Sequence, residues 1–159
     1  MRVYLGLGAN LGTPAVQVER ALALIAALPH TTLVARSPLY RSDPVGPAGQ
    51  PDYCNAACMI DTALEPLALL DAVQAIEVDA GRIRDGIRWA ARLLDIDLLH
   101  IEGLSLSTPR LRLPHPHLQE RNWVLVPLAD FAPTLDIPGL GIVAELAAAI
   151  GQAGLRPWS

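Results

Sequence analysis

The sequence predicts an α+β sandwich, a sheet with helices packed on it, and not a doubly wound dinucleotide-binding domain. Three observations lead there. The 159 residues, 52% hydrophobic and 18% charged, suffice for a domain with a real core and argue against disorder. Short apolar segments are separated by tight turns rich in Gly and Pro. Two strand–helix–strand crossings interrupt them. There is no internal repeat, low-complexity tract or linker, so residues 1–159 are expected to form a single domain.

The first strand is expected over residues 2–8, with Val3, Leu5 and Leu7 on one face and Tyr4 and the glycines on the other. Residues 6–12 are read as a strand-to-helix turn. Their G-x-G-x-x-x-G spacing is one residue off the dinucleotide fingerprint, itself a weak signal. Thr13 is the expected cap and Pro14 the first helical residue of a helix reaching about residue 28. Its buried stripe is Val18, Leu22 and Ile25. Residues 31–41 read as a second strand, 42–52 as a loop with three prolines and two glycines, and 53–61 as a third strand. Tyr53 and Asn55 share a face of that strand. They either hold a flat heterocycle or form a Tyr–Asn pair at a sheet margin.

Pro66 opens a second helix to about residue 80, with Leu67, Leu70, Val73 and Ile76 as its buried side and Gly81 as its stop. Gln74 and Glu77 share a face near its end. Residues 82–92 read as a loop with four arginines and Trp89. The Trp either packs down on the domain or belongs to a lid that closes on a ligand. A strand over residues 93–101 follows, then an extended segment to residue 113. His115 and His117 stand between and after prolines, where such histidines bind metal, contact phosphate or cap a turn. A helical piece carries Arg121, Asn122 and Trp123. Residues 124–128 are core, ended by Pro127 and Pro133; residues 142–150 form a last helix, and 151–159 a tail carrying Trp158.

The chemistry concentrates in residues 88–99, R-W-A-A-R-L-L-D-I-D-L-L. One residue separates Asp95 from Asp97, so on a strand both carboxylates project from one face. Side by side and partly buried, they repel and lose hydration. They either bind a divalent cation or form a solvated acid pair at an exposed strand end. Net charge is −4, and all twelve basic residues are Arg. Seven of them fall in residues 82–121 against five acids, so this window is locally positive in an acidic chain. The guanidinium fork fits phosphate oxygens, which suggests a phosphorylated ligand. An acidic protein without a broad basic surface is a poor nucleic-acid binder. The lack of Lys removes the Walker A loop and the protein-kinase design, and no G-x-S-x-G elbow is present. What remains is an Asp-x-Asp centre with arginine clamps, where Mg²⁺ could bridge nucleotide phosphates. No apolar run approaches the ~20 residues of a membrane span. The N-terminus lacks a signal peptide's apolar core, so a cytoplasmic location is expected. Cys54 and Cys58, the only cysteines, are read as buried and reduced.

These residues resemble the 6-hydroxymethyl-7,8-dihydropterin pyrophosphokinases of folate synthesis. The match is strongest in residues 88–99 and in L-P-H-P-H-L-Q-E-R-N-W-V-L-V-P-L (residues 113–128). It continues in G-A-N-L-G, S-P-L-Y-R-S, Q-P-D-Y-C-N-A-A and Q-A-I-E, in the family's order and over nearly the whole chain. The resemblance implies a ferredoxin-like α-β-α sandwich with a central, mainly antiparallel sheet. It also implies transfer of diphosphate from ATP to the pterin's hydroxymethyl group, with two Mg²⁺ ions when ATP is bound. Carried over residue by residue, Asp95 and Asp97 are the metal ligands, and Arg82 and Arg92 stabilise the transferring phosphates. Gln74, Glu77, Arg84, Trp89, Leu98, Arg110, His115 and Arg121 line the ATP site. Tyr53 and Trp123 sandwich the pterin, Asn55 reads its edge, and Ser42 and Val45 add contacts. The implied partners are these two small molecules, with no nucleic acid or membrane, and the expected state is a monomer. The family's usual Gly-Pro before the signature Arg is Ala90-Ala91 here, and its Thr two before the first Asp is Leu93. Two other readings stay open: a non-catalytic nucleotide- or pterin-binding homologue, and a metal-dependent phosphohydrolase.

Overall fold

The computed structural model describes residues 1–44, 49–82 and 94–159, with Arg82 described in its backbone alone. In chain order the elements are β1 (Arg2–Ala9), α1 (Pro14–Ala26), β2 (Thr31–Arg36), β3 (Tyr40–Ser42), β4 (Tyr53–Thr62), α2 (Pro66–Arg82) and β5 (Asp95–Ile101). A small hairpin of β6 (Leu106–Ser107) and β7 (Arg112–Leu113) follows, then a 3-10 turn (Leu118–Glu120) and α3 (Asn122–Ala129). The hairpin β8 (Asp136–Ile137) and β9 (Gly141–Ile142), α4 (Val143–Ile150) and β10 (Leu155–Pro157) complete the described elements.

The main sheet runs β10-β3-β4-β1-β5, with β2 also paired to β4, and each of these ladders is antiparallel. β1 and β2 both run against β4, so they are parallel with β4 between them. This is a split β-α-β unit, and β4-α2-β5 around β1 is the second. The two units make the ferredoxin-like arrangement. Alternation then sorts the side chains. Val3, Leu5, Leu7, Cys54, Cys58 and Ile60 pack against Val18, Leu22 and Ile25 of α1 and Leu69 and Val73 of α2. On the opposite face Tyr4, Ala57 and Leu99 meet Leu125 and Leu128 of α3 and Val143 of α4. Helices therefore cover both faces of the sheet, as in an α-β-α sandwich. Both cysteines are free and buried, and burial pushes each thiol up to about 12, so they are packing groups rather than ligands. Among the described residues no helix is long and apolar enough to cross a membrane.

Several elements differ from the sequence expectation. β1 continues through Gly6 and Gly8 to Ala9 instead of turning there. Thr13 makes no side-chain cap bond; its carbonyl accepts the Gln17 amide at 3.0 Å. The expected strand over 31–41 breaks around Pro38, which has no amide to donate to β4, while the Ser37 hydroxyl accepts the Ala57 amide at 3.0 Å. α2 runs through Gly81 to Arg82, and its buried side is Leu69, Leu70, Val73, Ile76 and Ala80, with Leu67 43% exposed. Helical spacing from Leu69 recruits Val73, Ile76 and Ala80, a stripe that leaves Leu67 outside. Pro127 lies inside α3 instead of ending it, because buried Val126 and Leu128 on either side hold the segment against the sheet. The C-terminal tail is not a loose end: β10 adds an edge strand to β3, pairing Leu155 with Ser42.

Candidate functional site

Two clefts meet at the β5 end of the sheet. The first, about 220 Å³, lies on the α3 side and is lined by Ser42, Tyr53, Asn55, Asp95, Asp97, Arg121 and Trp123. The strands explain this convergence. In the β1 ladders Gly8 stands opposite both Asn55 and Asp95, and Gly6 stands opposite both Ala57 and Asp97. The amide and the two acids thus share one face across three strands, and the glycines between them leave the floor open. A Cβ on Gly8 would meet Asn55 Nδ2 at 3.1 Å, a close contact that Asn55 would have to give way to by a few tenths of an ångström. Asn55 and Ser42 are buried, and the Ser42 hydroxyl donates to Asn55 Oδ1 at 2.6 Å. That bond engages the carbonyl end of the amide and leaves Nδ2 as the donor for a ligand. Tyr53 opens β4 and Trp123 is the second residue of α3, so both walls of the cleft carry an aromatic ring.

The second cleft, about 310 Å³, lies between α2 and the β6–β7 hairpin. It is lined by Gln74, Glu77, Asp97, Leu98, Arg110, Arg112 and His115. Arg110 reaches from the hairpin to α2, donating to Asp71 at 2.6 Å and to Gln74 Oε1 at 3.3 Å. Glu77 Oε2 accepts the Ile96 amide at 2.7 Å, tying α2 to the residue between the two aspartates. His115 Nε2 lies 3.9 Å from Asp97 Oδ1, and Arg121 Nη1 lies 3.7 Å from Asp97 Oδ2. Burial holds the His115 imidazole below its ordinary value, with Asp97 pulling the other way. His117 is exposed, its ring 6.0 Å centroid to centroid from that of His115, and its amide donates to His115 Nδ1 at 3.1 Å.

Asp97 therefore borders both clefts. Most of the residues expected to contact a ligand fall into two sets around it. Arg121, expected among the nucleotide contacts, lines the first cleft. Val45, Arg84, Trp89 and Arg92 lie outside the described residues, as does the side chain of Arg82. Among the described residues no cluster of three or more His, Cys, Asp or Glu is placed to hold a metal by itself. Asp95 and Asp97 offer oxygen donors only, from one strand face. That matches Mg²⁺, which is usually held by one or two carboxylates together with substrate phosphates. Sequence reasoning missed Gly6, Gly8 and Asp43 as cleft residues. The signal for the glycines was present, since period two places them with Tyr4 on the face away from Val3, Leu5 and Leu7.

A family sequence model described as 7,8-dihydro-6-hydroxymethylpterin-pyrophosphokinase (HPPK) matches residues 4–133. The chain belongs to this family. Among HPPK relatives, the 2-amino-4-hydroxy-6-hydroxymethyldihydropteridine pyrophosphokinase of Pseudomonas aeruginosa is 51% identical over 155 residues, covering 98% of this chain and 95% of that protein. The enzyme of the same name from Haemophilus influenzae is 44% identical over 143 residues, covering 90% of this chain and 89% of that protein. A crystal structure of a Plasmodium falciparum HPPK-DHPS triple mutant with pteroate superposes with a TM-score of 0.73 at 15% identity, a likeness of fold. It covers 98% of this chain, which spans only 46% of that longer one.

Proposed function

We propose that the chain transfers diphosphate from ATP to the hydroxymethyl oxygen of 6-hydroxymethyl-7,8-dihydropterin, giving AMP and the pterin diphosphate, a step of folate synthesis. The observation that carries this reading is the position of Asp97 between an aromatic, amide-bearing cleft and an Arg- and His-bearing one. The first cleft suits the pterin. Tyr53 and Trp123 flank the flat ring, Asn55 presents donors to its edge, and Ser42 fixes the amide's orientation. The second suits ATP, with Arg110 and His115 toward the phosphates and Gln74, Glu77 and Leu98 toward the nucleoside. We assign Arg121 to the phosphates where the clefts join.

Asp95 and Asp97 would hold Mg²⁺ through their carboxylates. When bound, the ion would offset phosphate charge and help align the attacking and leaving oxygens. In the transfer itself the pterin hydroxyl oxygen forms a bond to the β-phosphorus. The bond from that phosphorus to the α–β bridging oxygen breaks, AMP leaves with the electron pair, and the hydroxyl proton passes to solvent. No side chain is assigned as a general base; the chain's contribution is to position two substrates in line and to stabilise charge. By resemblance, Arg82 and Arg92 supply further positive charge, with Arg84 and Trp89 at the nucleotide and Val45 at the pterin. Because one chain contributes both clefts, we propose that residues 1–159 act as a single domain and as a monomer.

Incubation with ATP, Mg²⁺ and the pterin alcohol tests the reading. AMP forming only when the pterin is present supports it. ADP, or phosphate released without an acceptor, contradicts it and points to a phosphohydrolase. Pterin binding without any nucleotide product points to a non-catalytic homologue.

A further inference from the structure

Arg156, on the C-terminal strand, makes two contacts that neither the fold nor the proposed chemistry requires. Its Nη1 donates to Asp43 Oδ1 at 3.0 Å, and its Nη2 donates to Asp52 Oδ2 at 2.9 Å. Asp43 follows Ser42 and lines the first cleft; Asp52 precedes Tyr53. One guanidinium thus bridges the residues next to Ser42 and Tyr53, two proposed pterin contacts that are themselves paired across β3 and β4. The surrounding structure supports the same job. The Asp43 amide donates to Gly154 O at 3.0 Å. Gly154 has φ +72°, and a Cβ there would meet Asp43 Oδ2 at 2.9 Å, so the turn before β10 is fitted closely against Asp43. Arg41, which also approaches Asp52 at 3.6 Å, has its guanidinium carbon 3.8 Å from the centroid of the Trp158 ring. On the opposite wall Asn122, next to Trp123, donates its amide to Ala153 O at 3.0 Å. Residues 153–158 therefore touch both walls of the cleft.

We infer that Arg156 is a positioning residue for the pterin: it fixes Asp43 and Asp52, and through them holds the wall that carries the paired residues Ser42 and Tyr53 in place against the Trp123 wall. The inference rests on the reading of that cleft as the pterin site. Arg156, Asp43 and Asp52 are all substantially exposed, with side chains 46%, 62% and 30% accessible, so their ion pairs add little to stability. What they order is the neighbouring wall.

The test is steady-state AMP formation with each substrate varied in turn, alongside thermal unfolding. Arg156→Ala is expected to raise the pterin KM about fivefold. The ATP KM and kcat should stay within about twofold, and Tm within about 3 °C. Arg156→Lys should recover part of the loss, since it can still pair with one acid. Asp52→Asn should raise the pterin KM by no more than Arg156→Ala does, and the Arg156→Ala/Asp52→Asn double variant should match Arg156→Ala, because that change alone already removes the Arg156–Asp52 contact. If Arg156→Ala does not fold, Asp52→Asn, which keeps the arginine, decides by the same criterion. A pterin KM unchanged in the folded variants, or an equal rise in both KM values, overturns the inference. A wild type that forms no AMP overturns the site reading instead.

Discussion

Arg121 Nη1 stands 3.7 Å from Asp97 Oδ2, on the side of that carboxylate facing the aromatic cleft. On the other side His115 approaches Oδ1 at 3.9 Å. The acid is thus flanked by one basic group from each cleft. Loss of Arg121 removes a phosphate contact and a neighbour of the acid together. Arg121→Ala is expected to lower kcat/KM by about tenfold or more for ATP and for the pterin alike, the scale of a charged hydrogen bond. Steady-state kinetics with each substrate varied decides it, and a loss confined to one substrate contradicts the shared position.

Trp123 separates stacking from simple bulk. Trp123→Ala should raise the pterin KM by about threefold to tenfold beyond what Trp123→Phe does, since Phe keeps a ring in the cleft. Equal effects of Ala and Phe would mean that the indole does not stack on the substrate.

Gly8 tests the floor of the cleft. A methyl group at this position must displace Asn55 by a few tenths of an ångström, because Nδ2 lies 3.1 Å from where Cβ would stand. Gly8→Ala is expected to raise the pterin KM at least about fivefold and to leave the ATP KM within about twofold. A wild-type pterin KM would show that the amide does not read the substrate.

His100 gives the fold a pH dependence away from the clefts. It is 2% exposed, its ring stacks on Tyr4 at 5.9 Å, and Nδ1 has no hydrogen-bond partner among the described residues. Burial holds it below its ordinary value of 6.5, with Glu102 opposing. The unfolded chain therefore takes up this proton at a higher pH than the folded one. The stability linked to the neutral ring is present above about 6.5 and is lost as pH falls below it. Tm should fall between pH 7.5 and 5.5 in the wild type and fall less in His100→Phe. Parallel declines would contradict a role for this ring.

The main architecture was legible because it follows from period: alternation in β1 and β4, the stripe Val18–Leu22–Ile25, and the two crossings. The Asp95–Asp97 pair was legible for the same reason. Elements set by tertiary contact were not. Leu155 to Pro157 carry no strand pattern, and only the free edge at β3 makes them a strand. Gly81 can stop a helix, yet α2 passes through it. Gly6 and Gly8 read as a turn because glycine serves both turns and close approach, and the sequence does not say which face must stay empty. Arg156 had no signal at all, since its partners Asp43 and Asp52 are more than a hundred positions away.

The central claim is that Asp97 joins the two substrates. Its most direct test is AMP formation from ATP and the pterin alcohol, with and without Mg²⁺, in wild type and Asp97→Ala. The wild type should form AMP only with the metal, and Asp97→Ala should lose at least about a hundredfold in kcat while keeping its fold. AMP formation by Asp97→Ala at the wild-type rate, or by the wild type without metal, would contradict the account.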